Sequence, residues 1–229
     1  MTFKRIETGI PGLDTLIEGG IPENFIVLVS GTSGTGKTTF CMQFLVEGIQ
    51  KYNQKGIYIG LGEDIDIIKR SMENYGMDLD KLAENDDLVF ADIPALEIEE
   101  ARLLLEGIGE GAKRLVLDPI SALLFAYRED DMELRQKIRE LVEIVRQKEI
   151  TALITTELPE NSKGISRFGI EDFLSDGIIV LYYFREGAKR YRGLEVRKMR
   201  GTHHSSDIHL YKLSTGVGIQ VFKNRITFD

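Results

Sequence analysis

The chain has 229 residues, and 37 acidic against 29 basic residues give it a formal net charge of -8 at pH 7. This length allows one well-buried α/β core or at most two small ones, and the negative balance disfavours broad binding to nucleic acid or anionic membranes. The single cysteine, Cys41, cannot form an internal disulfide, and we expect it to be a small core residue. With no visible signal peptide or membrane-spanning apolar run, we expect a globular cytoplasmic protein.

Apolar strands and helical patterns alternate up to residue 157. After a preamble of turns and one short helix, the predicted strands are residues 25–30, 56–61, 88–93, 114–118 and 151–157. The predicted helices are residues 39–49, 65–72, 96–107 and 132–148, the last capped by Asp130 and Asp131. This alternation predicts a parallel sheet with right-handed crossovers and flanking helices.

The pattern then changes in the C-terminal part of the chain. Predicted strands at residues 176–186, 190–200, 207–213 and 218–222 follow one another through short turns, with no helix between them. They indicate an antiparallel extension of the same sheet. No linker or composition shift marks a boundary, so we predict one α/β domain over residues 1–229.

One segment connects the first long strand to its helix and reads Gly-Thr-Ser-Gly-Thr-Gly-Lys-Thr at residues 31–38, the phosphate-loop (Walker A) pattern of P-loop NTPases. Free backbone N–H groups and the helix dipole meet there and favour an anion, and the glycines let the backbone approach phosphate closely. Lys37 is expected to reach the β- and γ-phosphates, and the Thr38 hydroxyl to ligate Mg²⁺. The predicted phosphate-binding residues are Gly31, Thr32, Ser33, Gly34, Thr35, Gly36, Lys37, Thr38 and Thr39.

Three acidic residues end predicted strands near this loop. Asp118 is expected to hold Mg²⁺, usually through a water; the alternative is a cap on the turn before Pro119. Glu63 ends the second strand, beside the phosphate loop if the sheet is wound in the usual way, and is the candidate base that orients the attacking water. Its alternative is an acidic cap region for the helix that begins at residue 65. Glu157 is a second candidate base.

Several segments of the chain resemble KaiC-type members of the RecA superfamily. They are the phosphate loop at 31–38 and the segments 61–64, 115–118, 155–157, 167–176 and 194–204, the last containing Lys-Met-Arg-Gly-Thr. The resemblance runs from about residue 8 to residue 222. It implies a RecA-like P-loop fold and ring-shaped homohexamers, with ATP or ADP and Mg²⁺ bound between neighbouring subunits.

The resemblance also implies that Lys198 and Arg200 reach the phosphates of a neighbouring subunit. They join Lys37 and Glu63, which were chosen above from the residues alone, as the candidate catalytic residues. Two cations at alternate positions of a strand face the same side, so both can address one polyanion. The alternative is a solvated basic strand. The residues assigned to the neighbour's nucleotide are Lys198, Met199, Arg200, Thr202 and His204.

The sequence departs from the family in two places. Two adjacent glutamates usually follow the second strand, and counting back from the aromatic–glycine pair at 75–76 places Glu63 on the second and Gly62 on the first. The first is commonly regarded as the base, so hydrolysis is expected to be slow or lost. Asp172 and Phe173 replace the hydroxyl residues of the phosphorylated half of two-domain members, so the chain resembles the ATPase half.

Three functions are therefore considered. The first is a slow Mg²⁺-dependent ATPase with sites at homo-oligomer interfaces, and the second is an ATP-dependent assembly switch or scaffold with little hydrolysis. The third is a DNA recombination or repair ATPase. Its candidate pore loops at 125–131 and 159–168 offer little positive charge, so nucleic acid is an unfavoured partner. No membrane partner is expected, and a protein partner is left open.

The three histidines invite a metal-site interpretation because two of them are adjacent. Neighbouring residues of a strand point to opposite faces, so His203 and His204 are badly placed to hold one ion. By resemblance His204 is assigned to the nucleotide, and His203 and His209 are expected at the surface.

Overall fold

A computed structural model of the chain describes residues 3–94, 98–109, 111–124, 132–160, 162, 164–167, 169 and 171–225. The strands are β1 (Arg5–Ile6), β2 (Ile21–Pro22), β3 (Ile26–Gly31), β4 (Lys55–Leu61), β5 (Leu88–Ile93), β6 (Ala112–Asp118), β7 (Thr151–Glu157), β8 (Gly177–Glu186), β9 (Lys189–Met199), β10 (Ile208–Ser214) and β11 (Gly218–Arg225). The α-helices are α1 (Lys37–Tyr52), α2 (Ile65–Glu73), α3 (Leu79–Glu84), α4 (Ile98–Gly107), α5 (Ser121–Leu124), α6 (Met132–Gln147) and α7 (Glu171–Leu174). A short 3₁₀ helix spans Asp14–Leu16.

Within these ranges the main sheet has nine strands in the order β11-β10-β9-β8-β3-β7-β6-β4-β5. The six strands from β8 to β5 run parallel, and β9, β10 and β11 add antiparallel pairs at one side. The α/β fold with a mostly parallel sheet and an antiparallel C-terminal extension is thus confirmed. The carboxyl ends of β3, β4, β6 and β7 meet at one edge of this sheet.

The core lies on both faces of the sheet because the parallel strands are covered twice. Along β3, Val27 and Val29 pack on the face that α1 covers, whereas Ile26 and Leu28 pack on the face covered by α4 and α6. The buried side chains of α6 recur at helical spacing and include Ile138, Leu141, Val142 and Val145. The caps predicted for this helix, Asp130 and Asp131, lie outside the described residues.

Several short elements were not predicted. They include the β1–β2 pair, in which Arg5 lies opposite Pro22, and the helices α3, α5 and α7. Each is too short to show a hydrophobic period. Cys41 is buried and free, as expected. None of the helices in the described ranges is both long and apolar enough to cross a membrane.

A buried arginine ties the N-terminal segment and α1 to the sheet. Arg114, on β6, is 0% exposed and donates from Nη1 to Phe44 O (2.7 Å), from Nη2 to Glu7 O (2.9 Å) and from Nε to Gln54 Oε1 (2.8 Å). Its guanidinium also lies 4.4 Å from the centre of the Phe44 ring. Burial lowers the pKa of Arg114 to about 10. The side chain satisfies two carbonyls from separate parts of the chain.

We expect Arg114→Leu to lower the free energy of unfolding by about 3 to 5 kcal/mol, because it leaves the carbonyls of Glu7 and Phe44 without their donor. Urea denaturation measures the change. Arg102→Leu is the matched control, since Arg102 bonds to exposed glutamates of its own helix and its loss is expected to leave the stability almost unchanged. Equal losses in the two variants would contradict the structural role of Arg114.

Candidate nucleotide-binding site

The phosphate loop joins β3 to α1 at the carboxyl edge of the sheet. Gly36 caps α1 with φ +93, a backbone conformation that residues with a Cβ rarely adopt. At Gly31 a Cβ would lie only 2.5 Å from Leu181 O of the neighbouring strand, so that position also requires glycine. The sequence therefore folds into the strand, loop and helix that the pattern predicts.

Hydrogen bonds within the loop fix its conformation. The Thr35 hydroxyl donates to Thr32 O (2.8 Å), and Lys37 Nζ donates to Gly31 O (3.0 Å) and Thr32 O (3.1 Å). Burial lowers the pKa of Lys37, and the charges of Glu157 and Asp118 oppose that shift. The Lys37 ammonium group thus lies against the backbone at the start of the loop. Of the remaining predicted loop residues, Thr39 is buried and Ser33 and Gly34 are exposed.

Asp118 ends β6, is 2% exposed and accepts three side-chain hydrogen bonds. Its Oδ2 accepts from the Thr38 hydroxyl (2.7 Å) and from the Tyr58 hydroxyl (3.0 Å), and its Oδ1 accepts from the Thr155 hydroxyl. The carboxylate is therefore oriented toward the first turn of α1. Tyr58 and Thr155 were not predicted as site residues, and their only sequence signal is a polar group within a buried strand.

A cavity of about 240 Å³ opens above the loop, and Lys37, Thr38, Asp118, Glu63 and Glu157 line it together. The strand that precedes Glu63 is not the neighbour of β3, because β7 and β6 lie between β3 and β4. Glu63 nevertheless borders the cavity, and its side chain is exposed to solvent. Partial desolvation, followed by the charges of Asp118 and Glu157, raises the pKa of Glu63 above 4.5. Glu157 lies closer to the loop, since β7 pairs directly with β3.

The helix-capping role considered for Glu63 is filled by its neighbour. Asp64 is the N-cap of α2, and its Oδ1 accepts from Asp66 N (3.0 Å) and Ile67 N (3.1 Å). The Glu63 carboxylate is therefore not required for this cap. Gly62, at the position of the family's first glutamate, adopts φ +80 and brings no carboxylate to the cavity.

The residues predicted to act on a neighbour's nucleotide lie at the other edge of the sheet, where the parallel strands begin. Lys198 pairs with Ile178 near the start of β8, whereas the phosphate loop begins beside Leu181. Arg200 N donates to Asp176 O, and Asp176 lies five positions before Leu181 along an extended chain, a distance of about 16 Å. This distance exceeds the length of a side chain. Neither Lys198 nor Arg200 can therefore reach a nucleotide on its own loop.

The other residues of this set differ in exposure. The Met199 side chain is 3% exposed and packs against Gly177, so it is not available to a ligand. Thr202 Oγ1 accepts from Arg5 Nη1 (3.0 Å), and His204 Nδ1 lies 3.1 Å from Ser205 O. No group of three or more His, Cys, Asp or Glu side chains suited to a metal ion occurs in the part of the chain that the structure describes.

One histidine prediction is wrong. His209 was expected at the surface, but it is 5% exposed and its Nε2 lies 2.7 Å from Ser205 Oγ. Its burial follows from its place on β10, opposite Leu194 of β9, a residue of the core. His203 is exposed, as expected.

A second cavity, of about 420 Å³, lies between β9 and β10 beside the loop and was not predicted. Tyr211 lines it and donates its hydroxyl to Thr35 O (2.5 Å), and Arg192 donates from Nη2 to Gly34 O (3.4 Å). Both residues are far from the loop in sequence. Only the antiparallel extension of the sheet brings them to it.

Comparison with known proteins agrees with this architecture. A family model described as "ATPase: KaiC" matches residues 6–226. The circadian clock oscillator protein KaiC of Parathermosynechococcus lividus is 35% identical over 228 residues, which cover 94% of this chain and 42% of that protein. KaiC of Prochlorococcus marinus subsp. pastoris is 36% identical over 217 residues, which cover 89% of this chain and 42% of that protein. The chain thus spans less than half the length of the curated relatives it matches.

The crystal structure of a KaiC-like protein from the archaeon Pyrococcus horikoshii OT3 matches with a TM-score of 0.87 and 33% sequence identity. The match covers 96% of this chain and 100% of that one. The resemblance inferred from the motifs is confirmed along almost the whole sequence. The chain belongs to the KaiC family of ATPases.

Proposed function

We propose that this chain is a Mg²⁺-dependent ATPase of low turnover whose nucleotide sites form between copies of the chain in a homohexameric ring. The observation that carries the proposal is the distance between the phosphate loop, at the carboxyl ends of the strands, and Lys198 and Arg200, near the amino end of β8. One copy can bind the triphosphate with its loop, and only another copy can bring the two cations to it.

The oxygen donors at the loop fit a magnesium ion. The Thr38 hydroxyl lies 2.7 Å from Asp118 Oδ2, and hard oxygen ligands are the ones Mg²⁺ prefers. Thr38 would hold the ion directly, and Asp118 would hold it usually through a water. Bound there, Mg²⁺ supplies neutralisation of charge on the β- and γ-phosphate oxygens. The cavity lined by Arg192 and Tyr211 lies beside the loop, and we infer that it receives the sugar and base of the same nucleotide.

Hydrolysis is assigned to the two glutamates of the smaller cavity. A raised pKa suits Glu63 to accept a proton from water, and the exposure of its side chain gives water access. Gly62 brings no carboxylate to the cavity, whereas the resemblance to KaiC-type proteins implies a glutamate at this position. This is why we propose a low turnover.

We expect Glu63→Gln to lower ATP turnover about 100-fold with little change in ATP affinity, because the amide cannot accept the proton. In the unsubstituted protein, turnover should rise with pH through a pKa above 4.5, as Glu63 becomes ionised. Phosphate release measured against pH tests both statements. Glu73→Gln at the end of α2 is the control. If this variant too lost the rise of turnover with pH, the assignment of that rise to Glu63 would be contradicted.

The decisive experiment combines size-exclusion chromatography, with and without ATP and Mg²⁺, with a phosphate-release assay. The proposal expects assembly with ATP together with slow release of phosphate. Gly62 favours a second candidate, a switch in which ATP holds the ring together with little hydrolysis. Assembly without measurable phosphate release would select that candidate. A monomer at saturating ATP would contradict both.

A further inference from the structure

One buried carboxylate organises the edge of the sheet that carries Arg200. The Asp176 side chain is 6% exposed and accepts at Oδ1 from Arg200 Nη1 (2.9 Å) and Arg146 Nη2 (3.1 Å). Its Oδ2 pairs with Arg146 Nη1 (3.0 Å) and accepts from Ile26 N (3.1 Å). The carboxylate is thus fixed to β3 and shared by two guanidinium groups.

The two arginines are held unequally. Arg146 contacts both oxygens of Asp176, donates also to Leu174 O (3.1 Å), and is 33% exposed. Arg200 has one contact to the carboxylate and is 55% exposed. Arg146 comes from α6, a different element, and so stays in place if the Arg200 side chain moves. Arg200 is the outer and more easily released partner.

Positive charge is in excess at this edge. Lys198 Nζ donates to the backbone oxygens of Asp172 (3.1 Å) and Ser175 (2.7 Å). Burial, followed by the charge of Arg200, lowers the pKa of Lys198, and the charges of Asp176 and Asp172 oppose this shift. With Arg146 and Arg200, three cations therefore face two carboxylates. This edge can therefore accept one further anion in addition to the two carboxylates, and each cation then still has an anionic partner.

We propose that Arg146 is a positioning residue: it keeps Asp176 neutralised, so that Arg200 is free to leave Asp176 and pair with a nucleotide phosphate on another copy of the chain. This inference rests on the proposed function. Leaving a buried carboxylate without any cationic partner has a high cost in free energy. Without Arg146, Asp176 would therefore retain Arg200, and the arginine would be withheld from the neighbouring site.

The first test needs neither nucleotide nor assembly. In nucleotide-free protein, Arg200→Ala is expected to lower Tm by under about 2 °C when Arg146 is present, and by about 5 °C or more in an Arg146→Ala background. The larger effect arises because Arg200 then holds Asp176 alone. Equal effects in the two backgrounds would overturn the proposal, whether or not the protein forms rings.

The second test measures ATP-dependent assembly. Arg146→Ala is expected to raise the ATP concentration needed for assembly about tenfold, and Arg146→Ala/Asp176→Asn to return it to within about twofold of the original. If Arg146→Ala does not fold, Arg146→Lys replaces it and is expected to show a smaller shift in the same direction. Arg197→Ala is the control, since Arg197 is a neighbouring exposed arginine paired with Glu195. If the double variant needed more ATP for assembly than the Arg146→Ala variant does, the proposal would be overturned.

Discussion

Lys37→Ala is expected to weaken ATP binding at least about 100-fold, a loss of about 3 kcal/mol. Lys37 Nζ lies within 3.1 Å of two loop carbonyls, partly buried, where a phosphate would face it at low local dielectric. Removing this charge leaves the phosphate loop with its backbone N–H groups but no cationic side chain to bind the triphosphate. Calorimetric titration of ATP into the purified protein measures the change.

Lys51→Ala is the matched control for this prediction. Lys51 lies in the last turn of the same helix, is 58% exposed in its side chain and pairs with Glu47, so the substitution makes the same change in composition and charge. Its ATP affinity is expected to stay within about twofold of the original. A Kd for Lys37→Ala within threefold of the control would show that the loop does not bind the phosphates.

Mixing two inactive variants is expected to restore activity if the site is shared between copies. Lys37→Ala and Arg200→Ala are each expected to lower turnover at least 100-fold. In a one-to-one mixture, a site is complete when an intact loop meets an intact arginine, so about a quarter of the sites should work. Phosphate release from subunits mixed before ATP is added measures the recovery.

The control for the mixing experiment is the double variant Lys37→Ala/Arg200→Ala, mixed with unsubstituted protein. Sites shared between copies should again leave about a quarter of the sites complete, whereas sites made by one chain alone would leave about half. A mixture of the two single variants that stays as inactive as its parents would show that Arg200 does not act across an interface.

Local sequence was sufficient for the phosphate loop and for the long elements. The loop pattern lies between β3 and α1 as predicted, because a glycine-rich turn with its adjoining strand and helix needs only neighbouring residues. The long strands and α6 were found from their periodicity. The short elements α3, α5 and α7 were not, because a helix of one or two turns has no readable period.

The site was only partly predictable. Thr38 and Asp118 were chosen by motif, but the hydroxyls of Tyr58 and Thr155 that orient Asp118 come from strands whose order is set by packing. The same order places β7, and with it Glu157, beside the loop, although Glu63 was the favoured base. His209 shows the limit in another way, since its burial depends on a pairing with β9 that no local pattern reveals.

The sequence by itself determined the family and the phosphate loop, and it singled out Lys198 and Arg200 as two cations at alternate positions of one strand, because these features depend on residue type at short spacing. Only the tertiary structure decided that the loop and the two cations stand at opposite edges of one sheet, since strand direction and register arise from packing over the whole chain. It also brought Arg146 from α6 to Asp176. Contacts between distant segments depend on how the whole core packs, and they cannot be predicted from a local sequence pattern.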